Sequence, residues 1–528
     1  MPRWSLSPAP IITLLLAAGA CGEPPGSSVP ATSTLVIAQG GDPGALNPAV
    51  TTSGNTHPVT DQIFNGLVGL DHDLNPIPEL AERWTVEDDG RTYRFHLRPG
   101  IKWHDGRPFR SADVKFTFEQ ALVKYHSRTR AALEALLAGV DTPDDRTAVL
   151  RLKRPYGPLL QRLDVVEASI IPQHQYDGHD LLAGEPTRRP VGTGPFRFVS
   201  YAPGDRLVLE RNPDYFRRGL PGVDRLVFRI LPNPATAVAA LESGEVDFVG
   251  TVPGPDIARL RTRADIAIVP STGGSGGSAC QDVLIPNITR SPFDDLRVRR
   301  AVAHALDRRF IVERVYFGQG QAATGPISHL LAWAYAPDVR QYPHSPAAAN
   351  ALLDQASLPR KADGYRFAVR FTHANNHQRL AHVLREQLKA VGIRLDLETT
   401  DFNAQVEQVF VRKTFDLGLA SYCNGADPDI GVRRVYVSSN IGPYPFSNGA
   451  GYRNPQIDRL FDEAATMSDH AARRERYVAI QRILADDVPY FWLIDSENLR
   501  AHRRTFTGFR LWTGAFVETV RSVAAGTE

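Results

Sequence analysis

The stretch 365–419 constrains the fold more than any other part of this chain, because it switches between two hydrophobic periods four times. Residues 365–371 alternate apolar and polar, the pattern of a half-buried strand. Residues 377–390 place Leu380, Val383, Leu384 and Leu388 on one helical face, with Asn375 or Asn376 as the cap and Gly392 as the stop. A strand at 393–397, a helix at 403–412 and a strand at 415–419 follow. Strand–helix–strand–helix–strand at this spacing predicts a parallel sheet with right-handed crossovers. The first half reads differently. A β-rich run at 34–38 ends in the turn-forming loop 40–48, and a strand at 91–97 follows an Asp89-Gly90 turn. Strands at 196–201 and 206–210 flank Pro203-Gly204-Asp205 as a hairpin, and another strand covers 226–230. Pro234 then opens a helix, at the turn where its missing N–H costs nothing. Two folded halves, each with its own sheet, predict an α/β molecule with a cleft, and the Gly/Ser run 273–278 reads as a loop between them. Ligands of open α/β sheets sit beyond the carboxyl ends of strands, which marks the loops 39–48, 372–376 and 421–429.

The N-terminus addresses location. Arg3, an apolar run at 11–20 and then Cys21 read as a secretory signal, and ten apolar residues are too few for a permanent membrane span. Ala18-Gly19-Ala20 before Cys21 resembles a bacterial lipobox, though it also suits ordinary signal peptidase. The expectation is a signal peptide at 1–20, a lipidated Cys21 and flexible tether at 21–33, and a protein held by lipid in the periplasm or on the outer face of the cell membrane. The apolar share of 42% supports a substantial core, and 528 residues allow two or three domains. A net charge of +2 gives no electrostatic case for nucleic acid. After Cys21 only Cys280 and Cys423 remain, which in an exported protein read as a disulfide or as two separate buried thiols, and less readily as a metal site.

Several ordered blocks resemble one family, the extracytoplasmic solute-binding proteins of peptide-type ABC transporters, family 5. They begin with Leu80-Ala-Glu-Arg-Trp84, 92–109 and Ala112-Asp-Val-Lys-Phe116. Gly192-Thr-Gly-Pro-Phe196, 210–216 and 241–247 come next, then Pro292-Phe293 with 297–308. Residues 388–393, Phe415-Asp-Leu417 and 454–460 complete the match. The resemblance implies a type II periplasmic-binding-protein-like fold of two hinged lobes. The first would hold 34–280 plus 490–528, with an inserted subdomain at about 55–185, and the second 281–489. It also implies a monomer without cofactor or catalysis that captures a peptide or similar small solute. Such a protein delivers its solute to ABC transporter permease subunits and their ATPases. Nickel chelates, glutathione, sugars and opines are further solutes of the family, and solute sensing is an alternative to transport.

Candidate ligand contacts follow from the resemblance and from position. In dipeptide binders of the family an Asp after a strand of the second lobe pairs with the ligand's α-ammonium. Aligned on Asp427-Pro428, that position here is Asn424, which can hydrogen-bond but cannot neutralise a charge. Tyr422 and Asn424 are therefore expected at the ligand, with Asp427 as a substitute anchor. Gly40, Gly41 and Asp42 are candidates after the first strand, and Trp333, Tyr444 and Phe446 as aromatic walls. The resemblance further implies a Cys280–Cys423 disulfide near the hinge. Trp103-His-Asp-Gly106 reads as turn chemistry and packing rather than a site. His373 and His377 have zinc-like spacing but lack the general base of H-E-x-x-H, so no metal is expected. No nucleophile elbow or P-loop is present, which argues against an enzyme.

Overall fold

The computed structural model describes residues 33–523 apart from 52, 127, 271–278, 444–445 and 510–515, with the backbone alone at 131, 376, 402 and 403. The signal segment, Cys21, the tether to residue 32, Tyr444 and the 273–278 run lie outside the described residues.

The first strand, Thr34–Gln39, turns Leu35, Ile37 and Gln39 inward by simple alternation. It is the middle of a seven-stranded sheet in the order Ile266–Pro270, Leu499–Arg503, Phe248–Val249, Thr34–Gln39, Arg225–Ile230, Arg206–Arg211 and Phe196–Ala202. Thr34–Gln39 runs parallel to both of its neighbours, and the remaining pairs are antiparallel. The helix Pro234–Ser243 is bounded as its sequence demands. Asn233 Oδ1 accepts from Ala235 N at 2.9 Å, and Gly244 closes the helix in the left-handed region at φ 82°. Between the first strand and the hairpin lies a separate four-stranded sheet, ordered Ala81–Glu87, Thr92–Leu97, Thr147–Leu152 and Leu137–Asp144.

The second large sheet has six strands in the order Gly320–Ala322, Phe491–Ser496, Cys280–Pro286, Leu417–Cys423, Phe367–Ala374 and Ile393–Thr400. Phe367–Ala374 is parallel to Ile393–Thr400 and to Leu417–Cys423, the arrangement predicted from the alternating periods. The connecting helix Gln378–Ala390 buries Leu380, Leu384 and Leu388, while Val383 is half-buried. Both faces of this sheet are covered. Val283 and Ile285 join one apolar cluster and Leu284 the other, which is why 283–286 of the strand Cys280–Pro286 is continuously apolar.

The chain crosses from the first sheet to the second between Pro270 and Cys280, and returns between Ser496 and Leu499. The return lies later than the expected position 490. Phe491, Trp492, Leu493 and Ile494 are all buried and form an inner strand of the second sheet. At the outgoing crossing Cys280 and Cys423 face each other in register, and their Sγ atoms are 1.97 Å apart, closing a separation of 143 residues. Among the described residues no helix is long and apolar enough to cross a membrane.

The two halves meet along a seam. Leu70 and Leu74 of the first half pack in the same apolar cluster as Phe410, Ile457 and Tyr477 of the second. The turn Gly157–Arg162 rests on the short helix Pro428–Gly431 and on Pro455–Thr466. Contact there is close: a Cβ on Gly157 would stand 1.7 Å from the Met467 carbonyl oxygen.

Candidate ligand-binding site

Charged side chains are rare in interiors unless paired, so the buried charges along this seam need partners. Glu167 is brought in by the helical turn Val165–Ala168. Asp164 caps that turn, its Oδ1 accepting from Glu167 N at 2.9 Å. The Glu167 carboxylate is fully buried, pairs with Arg128 and accepts from Thr129 Oγ1 at 2.9 Å. Burial alone would raise its pKa, but Arg128 and Arg162 outweigh burial and hold it down at about 2. Beside it, His126 Nδ1 accepts from Thr129 N at 2.9 Å, so the ring is neutral, and burial depresses its pKa to about 4. His57 is the opposite case. Both ring nitrogens face acceptors, Asp61 Oδ1 at 2.7 Å and Thr51 O at 2.8 Å. Burial opposes the charged ring, yet Asp61 prevails and its pKa rises.

From this cluster a chain of polar contacts crosses the seam. Arg162 Nε donates to the Tyr156 hydroxyl at 2.6 Å, and that hydroxyl donates to Asp429 Oδ2 of the second half at 2.7 Å. Burial, with Asp429 adding to it, keeps the phenol protonated. Arg433 lies 3.5 Å from Asp429 and 2.6 Å from the more exposed Asp462. Arg434 points elsewhere. Its Nε donates to Gly431 O at 3.2 Å, and its guanidinium lies 6.0 Å from the Tyr422 ring centre. It is half-buried, and among the described residues no carboxylate forms an ion pair with it. Desolvation, then the proximity of Arg128, lowers its pKa, and Glu167 and Arg162 act on it as well. Arg128 Nε and Arg162 Nη1 are buried without a hydrogen-bond partner.

The expected contacts are placed as follows. Tyr422 is buried, packed edge-on against Phe410, Phe446 and Tyr490, and forms the apolar floor beneath Arg434. Asn424 is buried with its Oδ1 accepting from Ser328 N at 2.6 Å, so it fixes the loop after its strand. Asp427 is a correction to the ammonium-anchor expectation. Its oxygens lie 2.7 and 2.8 Å from Arg473 Nη1 and Nη2, with 0% and 1% side-chain exposure for the pair, so the carboxylate is already neutralised. Trp333 stacks on His470 at 4.6 Å, with the Arg473 guanidinium 5.3 Å from its ring, at the edge of the seam where Gln161 reaches His470. Phe446 packs on Phe410 at 5.4 Å. Gly40 is exposed, Gly41 fits closely against Asn55, and Asp42 accepts from Tyr201 Oη at 2.7 Å and Gly204 N at 2.9 Å. That ties the 39–48 loop to the hairpin of its own half. Trp103 is buried and donates to Asp113, a packing role. No cluster of metal-ligating side chains occurs among the described residues.

Sequence reasoning missed Arg128, Arg162, Glu167 and Arg434. The available signal was charge inside an apolar stretch: Arg162 and Glu167 lie within Pro158–Ala168, which is mostly apolar.

Comparison with known proteins identifies the class. The model of bacterial extracellular solute-binding proteins, family 5, matches residues 75–443, and the chain belongs to that family. Binding proteins of this family deliver peptides or other small solutes to ABC transporter permeases. Glutathione-binding protein GsiB of Pectobacterium atrosepticum is 27% identical over 503 residues, 94% of this chain and 95% of the relative. The oligopeptide-binding protein AppA from Bacillus subtilis, solved with a nonapeptide, is 27% identical with a TM-score of 0.76, over 93% of this chain and 99% of AppA. The binding protein AgaA from A. tumefaciens, solved with agropinic acid, is 26% identical with a TM-score of 0.75, over 93% of this chain and 99% of AgaA. These likenesses establish the two-lobed periplasmic-binding-protein fold.

Proposed function

We propose that this chain captures a peptide-like small solute between its lobes and passes it to ABC permease subunits without altering any bond. The observation that carries this reading is the seam itself. There the Gly157–Arg162 turn meets Pro428–Gly431, and Arg128 Nε and Arg162 Nη1 of the first lobe are buried with no hydrogen-bond partner. Buried donors of this kind are costly unless something accepts from them, and a solute enclosed by closure supplies the acceptors. A ligand touching both lobes favours the closed arrangement by its differential affinity. The family, the glutathione-binding relative and the peptide-bound neighbour support a peptide as the solute. Titration calorimetry with glutathione and with di-, tri- and pentapeptides tests this. Binding at about micromolar Kd or tighter by one peptide class is expected.

A second reading, a non-peptide solute, is favoured by the neighbour solved with agropinic acid. Binding of an opine in the same titrations, with no peptide bound, selects that reading.

Attachment by lipid at Cys21, on the outside of the cell membrane or in the periplasm, completes the proposal. Incorporation of radiolabelled palmitate, lost in Cys21→Ser, is the expected result. Incorporation that persists in the variant refutes it.

A further inference from the structure

We infer that the second lobe carries a separate binding site for a phosphate group, in the cavity that Arg308 lines at the edge of its sheet. The cavity is lined wholly by second-lobe residues and lies apart from the seam where solute is captured.

The cavity forms where the edge strand runs out. Gly320–Ala322 pairs with Phe491–Ser496 as far as Ala322 beside Ile494, and Ala323 N still donates to Leu493 O at 3.2 Å. The next carbonyl, that of Trp492, is met by a side chain instead. Arg308 Nε donates to it at 2.7 Å, while Nη1 donates to Ala303 O at 3.0 Å and to Tyr342 O at 3.4 Å. Three carbonyls thus fix the head of a half-buried arginine, and Nη2 has no partner among the described residues. None of its partners is a carboxylate. Burial accordingly lowers its pKa, to about 10, with no nearby charge acting against burial.

The space beside Arg308 measures about 330 Å³, within the range of small-molecule sites. Arg309, Arg340 and His344 line it with Arg308, and Ala323 and Pro343 supply apolar wall. The acids within reach are spent. Asp307 lies 3.5 Å from His344, Asp486 pairs with Arg340, and Glu313 lies 2.8 Å from Arg309. Both Arg309 and Arg340 use only Nε in those pairs, so their Nη atoms remain as donors. The cavity therefore offers guanidinium donors from two separate stretches of chain, and the charge of Arg308 is uncompensated.

A desolvated cation without a counter-ion is costly, and an anion seated in the cavity lowers that cost. Phosphate suits the arrangement better than carboxylate. A carboxylate presents two oxygens in one plane, which a single guanidinium fork satisfies. A phosphate presents oxygens in several directions and accepts from donors on separate segments. The apolar wall beside the guanidiniums suits the organic part of a small phosphate monoester, and inorganic phosphate shares the same head.

Calorimetry tests this by titrating inorganic phosphate and glycerol 3-phosphate, at constant ionic strength, into protein that retains its copurified solute. Wild type should bind with a Kd of about 1 mM or tighter. Arg308→Gln should abolish binding. It also removes three carbonyl contacts, so Arg340→Gln is the deciding variant should Arg308→Gln fail to fold. The Arg340 side chain is 54% exposed, a position whose substitution the fold tolerates. Arg340→Gln should weaken phosphate binding about tenfold, the usual loss for a charge-assisted hydrogen bond. Hydrogen exchange with phosphate present should slow in 306–309 and 340–344 and stay unchanged in 156–162. No saturable binding of either probe overturns the inference, as does equal affinity in wild type and Arg340→Gln, or slowing confined to 156–162. Tighter binding of glycerol 3-phosphate than of phosphate supports the site with a monoester as its occupant, and equal binding supports it with the free ion.

Discussion

Replacing Asp427 by Asn separates a structural carboxylate from a ligand-binding one. In the structure both Arg473 Nη atoms lie 2.7–2.8 Å from the Asp427 oxygens, and side-chain exposure is 1% for Arg473 and 0% for Asp427. Arg473 also donates to Tyr477 Oη at 2.9 Å and to Ala464 O at 3.0 Å, so its head stays fixed when Asp427 is neutralised. Asp427→Asn then leaves a cation buried without a counter-ion, a defect worth about 3–5 kcal/mol. A lobe of roughly 200 residues shifts Tm by about 2–4 °C per kcal/mol, so Tm should fall by about 6–20 °C. Scanning calorimetry and urea melts measure the loss, and solute titration below the transition measures affinity. Affinity should change by less than about threefold, or about 0.7 kcal/mol. The double variant Asp427→Asn/Arg473→Met should recover much of the stability, because removing both charges is far milder than stranding one. An unchanged Tm together with a tenfold loss of affinity would refute the structural assignment and restore Asp427 as the ammonium anchor.

Replacing both Cys280 and Cys423 by Ser should destabilise the second lobe by up to about 4–5 kcal/mol, from the chain-entropy cost of opening a loop of this length. Melts of the oxidised and variant proteins check it, and equal stability contradicts it. Acid should weaken the first lobe before its carboxylates titrate. The His126 pKa falls from 6.5 unfolded to about 4 folded, so its contribution is complete above pH 6.5 and is lost as pH drops towards 4. The loss is about 3 kcal/mol, and urea melts across this window should flatten in His126→Gln. Glu167, held at about 2, extends the decline below pH 4. Gly157→Ala should block closure, since the new Cβ meets the Met467 carbonyl at 1.7 Å, and scattering with saturating solute should show an open molecule. N-acetylation of a bound peptide should weaken it by less than about tenfold, because Asn424 is neutral and Asp427 is already paired. A hundredfold preference for the free amine in calorimetry would show another carboxylate acting as the anchor.

Local rules made the framework legible. The alternating 365–371 run, the 377–390 face and the helix opened by Pro234 needed only neighbours in sequence, and all three formed, although Gln378–Ala390 starts after His377 without the side-chain cap expected from Asn375 or Asn376. The return of the chain to the first sheet was placed too early because Phe491–Ser496 is buried on both faces, and an apolar run alone does not name its sheet. The candidate site was the least legible part. Tyr156 and Asp429 lie 273 residues apart, and Arg473 reaches Asp427 from another helix. Asp427 before a proline reads as an available turn acid until that partner is known. Arg162 and Glu167 are embedded among apolar residues that did become core, and nothing local indicated which long-range partner each charge would meet.

Hydrogen exchange measured with copurified solute retained, and again after its removal by unfolding and refolding, addresses capture between the lobes most directly. The account predicts that removal speeds exchange in both 156–162 and 428–434, on opposite sides of the seam, while the inner strand Phe367–Ala374 is unchanged. Equal rates in both segments, or a change confined to one lobe, would contradict it.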